Sequence, residues 1–304
     1  MSAHPEPQPF AASPTMPIAP IPSDDGARRR RRTGQILQYA LLTVAALVMI
    51  VPFYWMVISS LKSNAEIFAR PIQWWPSPIR WENYHKALTY PGFNFLRLLW
   101  NSLYYAGLTT IGTVVSSALV GYGLSMFRFP GRNTLFGITV ATLIIPPVVT
   151  FIPVYVMFQK AGLLGTYAPL ILPAFVGNAF WIFMMRQFFM GIPRELLDAG
   201  RMDGANEFRI FWQIMLPLVQ PALIVVAVFT LLGTWNDFFG PLIYLSSADK
   251  YPLSLGLYAF RAQRSTEWAL LMAASVMVTL PVIALFAFGQ RYFMTGIKTT
   301  GLVR

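Results

Sequence analysis

A chain of 304 residues that is 56% hydrophobic and only 12% charged carries about half the charge of an ordinary soluble domain, which excludes a simple water-soluble globule. The lack of cysteine excludes disulfides, thiol catalysis and cysteine-ligated zinc or iron–sulfur sites. The net charge of +11 is no argument for nucleic acid: the block Arg28 to Arg32 supplies much of it, and arginine beside a first apolar run marks membrane topology.

Residues 1–33 read as a Pro-rich, unpacked cytoplasmic tail ending in that basic block. The run Ile36 to Ile58 holds no charge and is longer than the apolar core of a signal peptide, so an uncleaved first membrane span is expected. Five further charge-free windows follow: Leu98 to Phe127, Asn133 to Gln159, Ala161 to Met185, Ile210 to Asn236 and Trp268 to Gln290, the fifth span continuing to about Leu245. Each has the roughly 20 apolar residues that a helix needs to cross a ~30 Å hydrocarbon core. An all-α membrane protein with six transmembrane helices is therefore expected, with residues 34–304 as the transmembrane domain. Prolines inside these windows (Pro52, Pro146, Pro147, Pro153, Pro169, Pro173, Pro281) are tolerable as kinks, because neighbouring helices and water re-satisfy freed backbone groups. With the N-terminus inside, fourteen Lys and Arg fall on the cytoplasmic side against nine outside, which places both termini in the cytoplasm.

Between the spans, Ser59 to Arg97 is the longest outer loop, and its Trp74, Trp75 and Trp81 suit an interfacial aromatic belt. Gly121-Tyr-Gly123 lacks the context of a nucleotide motif and predicts close helix packing. Asn178, Trp181, Asn236 and Asp237 are the polar or amphipathic groups of the fourth and fifth spans. They are candidates for lining a translocation pathway, with capping of a kinked helix an equal reading for Asp237.

The stretch Gly191 to Pro221 differs from all of this. It packs Arg194, Glu195, Asp198, Arg201, Asp203, Glu207 and Arg209 between apolar spans. Pro193 suits the first turn of a helix, Asp203-Gly204 suits a turn, and Phe208, Phe211, Trp212 and Met215 fall at helical spacing as one apolar face. A charged helix–turn–helix on the membrane surface is expected over 191–217. The small Ala199, Gly200, Gly204 and Ala205 would let another backbone approach.

The order Glu195-x3-Ala199-x3-Asp203-Gly204-Ala205, then Phe208, Leu216-Pro217 and Pro221, resembles the EAA loop of ATP-binding cassette (ABC) importer permeases, carbohydrate-uptake branch. Leu196-Leu197 stands where the motif has two alanines, and Gly200 where alanine is common. Glu66-Ile-Phe68 with Trp74-Trp75-Pro76, Trp235-Asn236-Asp237-Phe238 with Pro241-Leu242, and the tail from Gln290 are similar to the same branch, so the likeness runs from about Ser60 to Arg304. It implies a type I importer (MetI-like) fold in a bacterial-type inner membrane. It also implies the partners: a second homologous permease, a cytoplasmic ABC ATPase dimer and an extracytoplasmic sugar-binding protein. Glu195, Asp198, Ala199, Asp203, Gly204, Ala205 and Phe208 would couple to the ATPase, with Phe208, Phe211 and Trp212 tying the loop to its own membrane domain.

No phosphate-cradling G-x-x-x-x-G-K-[ST] loop occurs, so no cofactor is expected on this chain and ATP with Mg would sit on the partner ATPase. No metal cluster and no catalytic motif stands in a plausible setting, so a non-catalytic subunit is expected. A secondary carrier or a non-transporting assembly subunit are the rival classes. The first would need repeat symmetry and buried ionisable groups, and only Asp237 answers to that.

Overall fold

The computed structural model describes residues 25–90, 93–263 and 267–300. Residues 1–24 of the expected tail lie outside that range. The chain forms two compact units, Met1–Phe53 and Tyr54–Arg304. In the first, helix α1 (Asp25–Ser60, continuing into the second unit) already takes in the arginine block. Its side chains from Ile36 to Phe53 are exposed, large aliphatics included, as a helix facing lipid would be.

The described residues of the second unit form helices joined by loops and turns. After the short α2 (Asn64–Ile67) and α3 (Glu82–Leu88) comes α4 (Phe95–Met126), capped by Asn94, whose carboxamide oxygen accepts from the Arg97 N–H at 3.1 Å. It is followed by α5 (Arg132–Ala141), α6 (Pro147–Lys160), α7 (Ala168–Val176), α8 (Ala179–Met190), α9 (Glu195–Met202) and α10 (Glu207–Ile210). A π-helical turn, Phe211–Met215, leads to α11 (Leu216–Leu218), α12 (Gln220–Trp235), α13 (Phe239–Tyr244), α14 (Leu253–Gln263) and α15 (Trp268–Thr300).

Helix α4, about 48 Å long at about 1.5 Å per residue, is the spine, packed on α7, α8 and α12. Two apolar clusters sit at its two ends. One joins Ala118, Tyr122 and Met126 of α4 to Met185 and Phe189 of α8, Leu197 of α9, and Ile210, Phe211 and Met215. The other joins Leu98 and Ala106 to Phe93, Trp235, Leu253, Phe260 and Ala274. Lipid tails are as apolar as these side chains, so in a bilayer close packing has to carry the association. Small residues provide it: a Cβ on Gly112 would lie 2.7 Å from the Phe175 ring, and one on Gly121 only 2.8 Å from Met185 Cβ and 3.1 Å from the Arg186 nitrogen. Gly121 thus meets the expectation of close packing, while Gly123 faces open space.

The apolar windows are only partly single helices. Gly34–Ser60, Phe95–Met126 and Ala168–Met190 are long and apolar enough to cross a membrane. The window expected from Asn133 to Gln159 is instead a pair, Arg132–Ile144 and Pro147–Lys160, bent by 101°. The cause is local: Pro146 pushes Ile145 to an extended ψ of 116° and Pro147 has no N–H to give. Pro52, Pro153, Pro173 and Pro281 stay inside helices, as a packed bundle allows. The window from Ile210 is likewise a pair, Glu207–Leu218 and Gln220–Trp235, bent by 77°. The run does not continue unbroken to Leu245, because α12 stops at Trp235 and α13 restarts at Phe239. With each bent pair taken as one passage the described residues hold up to five candidate spans, and Trp268–Ala284 forms a shorter apolar helix.

Candidate functional site

The segment expected as a helix–turn–helix is one. Helix α9 ends at Asp203 in a Schellman turn: the Ala205 N–H reaches the Gly200 carbonyl and the Gly204 N–H the Arg201 carbonyl, both at 3.0 Å. Gly204 sits at φ +77°, where a side chain is strained, but an added Cβ would touch nothing within 4 Å. Its role in this chain is therefore the turn. Close approach belongs to Gly200, buried, where a Cβ would lie 2.9 Å from Ile214 Cδ1. Asn206 then caps α10 by accepting from the Arg209 N–H at 2.8 Å.

Three charges of the segment, Asp198, Arg201 and Glu207, pair with one another. Arg201 donates through Nε to Glu207 Oε1 at 2.9 Å and through Nη1 to Asp198 Oδ1 at 3.2 Å. These bonds, to Glu207 first, hold the Arg201 guanidinium above its ordinary pKa. The other oxygen of Glu207 accepts from the buried Tyr122 hydroxyl at 3.3 Å, which ties the segment to α4. Glu195, Asp198, Ala199, Asp203 and Gly204 are exposed, and Ala205 is half-buried against the cluster around Phe211.

The expected apolar face does not hold together. Phe211 and Met215 are buried, whereas Phe208 is 70% and Trp212 54% exposed, so these two do not tie the loop inward. Ile210 and Ile214 take the inward positions because only the bare backbone of Gly200 stands opposite them. Phe208 and Trp212 lie edge to face on the outside, 6.2 Å apart between ring centres. Met202, 88% exposed at the end of α9, adds to the apolar surface. Its exposure was not legible in sequence, since a methionine two residues from a turn reads equally as core.

The polar groups of the spans are placed differently. Gly177, at φ +108°, breaks α7 from α8, and the Asn178 side chain caps the second piece by accepting from Phe180 and Trp181 N–H at 3.0 and 3.3 Å. Trp181 is half-buried between the Phe180 and Phe229 rings. Asn236 is exposed and donates back to the Leu232 carbonyl at 2.8 Å. Asp237 accepts from the Tyr105 hydroxyl at 2.7 Å and from the Gly240 N–H at 3.1 Å, so it caps α13, while the Ser254 hydroxyl donates to its carbonyl at 2.6 Å. These bonds are the contacts that the capping reading asks for. Tyr105 and Ser254 complete this knot and lie 132 and 17 residues away from Asp237 in sequence, so no local pattern pointed to them. No group of metal-ligating side chains occurs among the described residues.

Comparison with known proteins places this geometry. Residues 114–298 match the family described as binding-protein-dependent transport system inner membrane component. The arabinooligosaccharides transport system permease protein of Halalkalibacterium halodurans is 33% identical over 279 residues, covering 90% of this chain and 99% of that one. A chain from the crystal structure of a bacterial ABC transporter involved in the import of the acidic polysaccharide alginate superposes with a TM-score of 0.75 at 26% identity, covering 90% of this chain and all of that one. A chain from the bacterial alginate ABC transporter in complex with an alginate pentasaccharide-bound periplasmic protein shares the fold, with a TM-score of 0.60 at 16% identity over 86% of this chain and 94% of that one.

Proposed function

The chain belongs to the family of binding-protein-dependent transport system inner membrane components, and from that premise we propose how it works: as half of a sugar translocation pathway, driven through the 191–217 segment. As a member of the carbohydrate-uptake ABC permeases it is a multi-pass inner-membrane subunit and not itself an enzyme. In this reading it crosses six times with both termini in the cytoplasm, beside a second homologous permease. An extracytoplasmic binding protein delivers an oligosaccharide or related sugar or polyol, and a cytoplasmic ATPase pair supplies ATP and Mg, neither of which this chain holds.

The observation that carries the reading is the surface of α9 and α10. Met202, Phe208 and Trp212 are exposed apolar groups beside the exposed Glu195, Asp198, Ala199, Asp203 and Gly204, with Ala205 beneath. An apolar patch rimmed by charge marks a surface built to meet another protein. Behind it, Leu197, Ile210, Phe211 and Met215 enter the same cluster as α4, α8 and α12, so a push on the segment reaches the spans through packed side chains. ATP-driven closure of the motor would move these knuckles together and rock the spans between inward- and outward-facing states. Transport follows only where sugar, binding protein and nucleotide each favour one state over the other. Asn178, Trp181 and Asn236 fit pathway-lining positions at the helix breaks, with Asp237 shaping the break beside them.

The test is Gly204→Asp. An added Cβ has nothing within 4 Å of it in this chain, so the main cost is that of the backbone conformation, about 1 kcal/mol, and the permease pair should assemble. Substrate-stimulated ATP hydrolysis by the purified complex should be lost, and undiminished coupled hydrolysis would refute the assignment.

A further inference from the structure

Three arginines of this chain converge on a cavity of about 410 Å³ beside the segment just described, lined by Arg128, Arg132 and Arg194 with Gly131, Asn133 and Thr134. No carboxylate lines it. Among the described residues, none of the three arginines makes an ion pair, and neither does Arg186 behind them. Arg186 is only 9% exposed. Its Nε donates to the Leu124 carbonyl at 3.2 Å and its guanidinium lies 3.9 Å from the centre of the Phe136 ring. Arg132 donates to the Phe127 carbonyl at 3.1 Å. These contacts hold the Arg132 and Arg186 guanidinium groups in place without neutralising them.

The backbone adds to the same field. Gly131, at φ +80°, starts the ten-residue α5, and no side chain caps that end. The N–H groups of a first helical turn are themselves an anion cradle, and Asn133 and Thr134 of that turn line the cavity. From its rim α5 runs on with Leu135 and Ile138, both more than half exposed. A basic cavity opening onto an exposed apolar helix suits an amphiphile with one anionic group.

We propose that this cavity is a phosphate site, filled by the headgroup of an anionic phospholipid whose acyl chains lie along α5. Arginine matches phosphate oxygens by paired N–H donors, and basic pockets between helices at the cytoplasmic surface hold anionic headgroups. The inference rests on the membrane orientation above for the source of the phosphate; the site's affinity for phosphate stands on the cavity. An occupied site would brace the α4–α5 turn against the start of α9, and so set the resting position of the coupling segment.

The test uses the whole permease–ATPase complex in nanodiscs of phosphatidylcholine, alone or mixed with phosphatidylglycerol. Bound phosphatidylglycerol per complex is counted by native mass spectrometry. Each arginine near the membrane surface contributes enough that replacing all three (Arg128→Gln, Arg132→Gln, Arg194→Gln) should weaken retention on the order of a hundredfold. Arg80→Gln, on a different loop, should not change it. The single Arg128→Gln, on an exposed side chain, should give a partial loss and keeps the test decisive if the triple variant folds poorly. Equal retention by wild type and variants would overturn the proposal. So would protection of the cavity by inorganic phosphate in phosphatidylcholine discs with no preference for phosphatidylglycerol, which would give the site to a soluble anion. Sugar uptake by the same complex in sealed proteoliposomes separates this outcome from a failure of the transport reading: lipid retention without uptake would refute that reading and leave this one standing.

Discussion

The two ends of α4 are built on opposite plans. At the N-terminal end a run of polar groups is spent on the chain itself. Arg97 pairs with Asp249 at 2.5 Å, Asn101 donates to the Asp249 and Tyr251 carbonyls at 2.8 and 2.9 Å, and the Ser102 hydroxyl accepts from the Leu253 N–H at 2.7 Å. Tyr105 with Asp237, and Lys250 with the Gly165 carbonyl at 2.7 Å, extend the same stitching. At the C-terminal end Asp198, Arg201 and Glu207 pair among themselves on the surface, while among the described residues Arg128, Arg132 and Arg194 make no ion pair and Met202, Phe208 and Trp212 stay bare. Side chains bonded to their own backbone mark a region whose shape is complete. Apolar groups left outside beside paired charges mark one that is completed by contact.

That contrast can be broken at its strongest point, the seam between α4 and α8. Gly121→Leu puts carbon against Met185 and the Arg186 backbone, which cannot withdraw, so a loss of about 3 kcal/mol is expected. A large drop in the thermal midpoint of the purified chain in detergent checks it, and an unchanged midpoint would show that the seam is slack. At the stitched end, Asp237→Ala strands the Tyr105 hydroxyl and the Gly240 N–H for about 2 kcal/mol, and Tyr105→Phe should cost less. If Asp237→Ala instead spares the midpoint and abolishes uptake, the residue serves sugar and not structure.

At the other end the expected pattern reverses. Arg201→Gln removes exposed ion pairs and should cost under about 1 kcal/mol in the isolated chain, yet it should lower hydrolysis in the complex. A stability loss without a functional one would mean that this surface is finished too. The smallest effect is one of pH. The Ser63 N–H and hydroxyl hold the Glu66 carboxyl below its usual range, in the capping box of α2. Its folded pKa lies below the unfolded one, so the box stabilises the loop fully above the unfolded value and loses that contribution as pH falls through the folded value. Above that window hydrogen exchange at Glu66 and Ile67 should be slower than in Glu66→Gln at the same pH, and the difference should vanish as pH falls through it; parallel profiles would count against the box.

Much of this was legible because its causes are local. Apolar length, the Asp203-Gly204 turn, the prolines flanking Val219 and the exposed charges of α9 all follow from neighbouring residues. The inward face of the second loop helix did not, since Phe208, Ile210, Phe211, Trp212, Ile214 and Met215 offer apolar groups on every side. The choice is made by a glycine on another helix. Asp237 was open for the same reason, its partner Tyr105 being on a distant helix. The sharp break at Pro146-Pro147 has a local cause as well, because two adjacent prolines remove donors and an allowed helical conformation together.

The π-helical turn at Phe211–Met215 has a consequence for the length of the chain there. Its widened loop accommodates one residue more than ordinary winding, with the Leu216 N–H reaching back to the Phe211 carbonyl. Winding the same residues as an ordinary α-helix would swivel everything after them by about 100°. The buried flank that now holds Val219, Ala222 and Val226 would then turn outward. The widened turn is what lets this number of residues and that buried flank coexist.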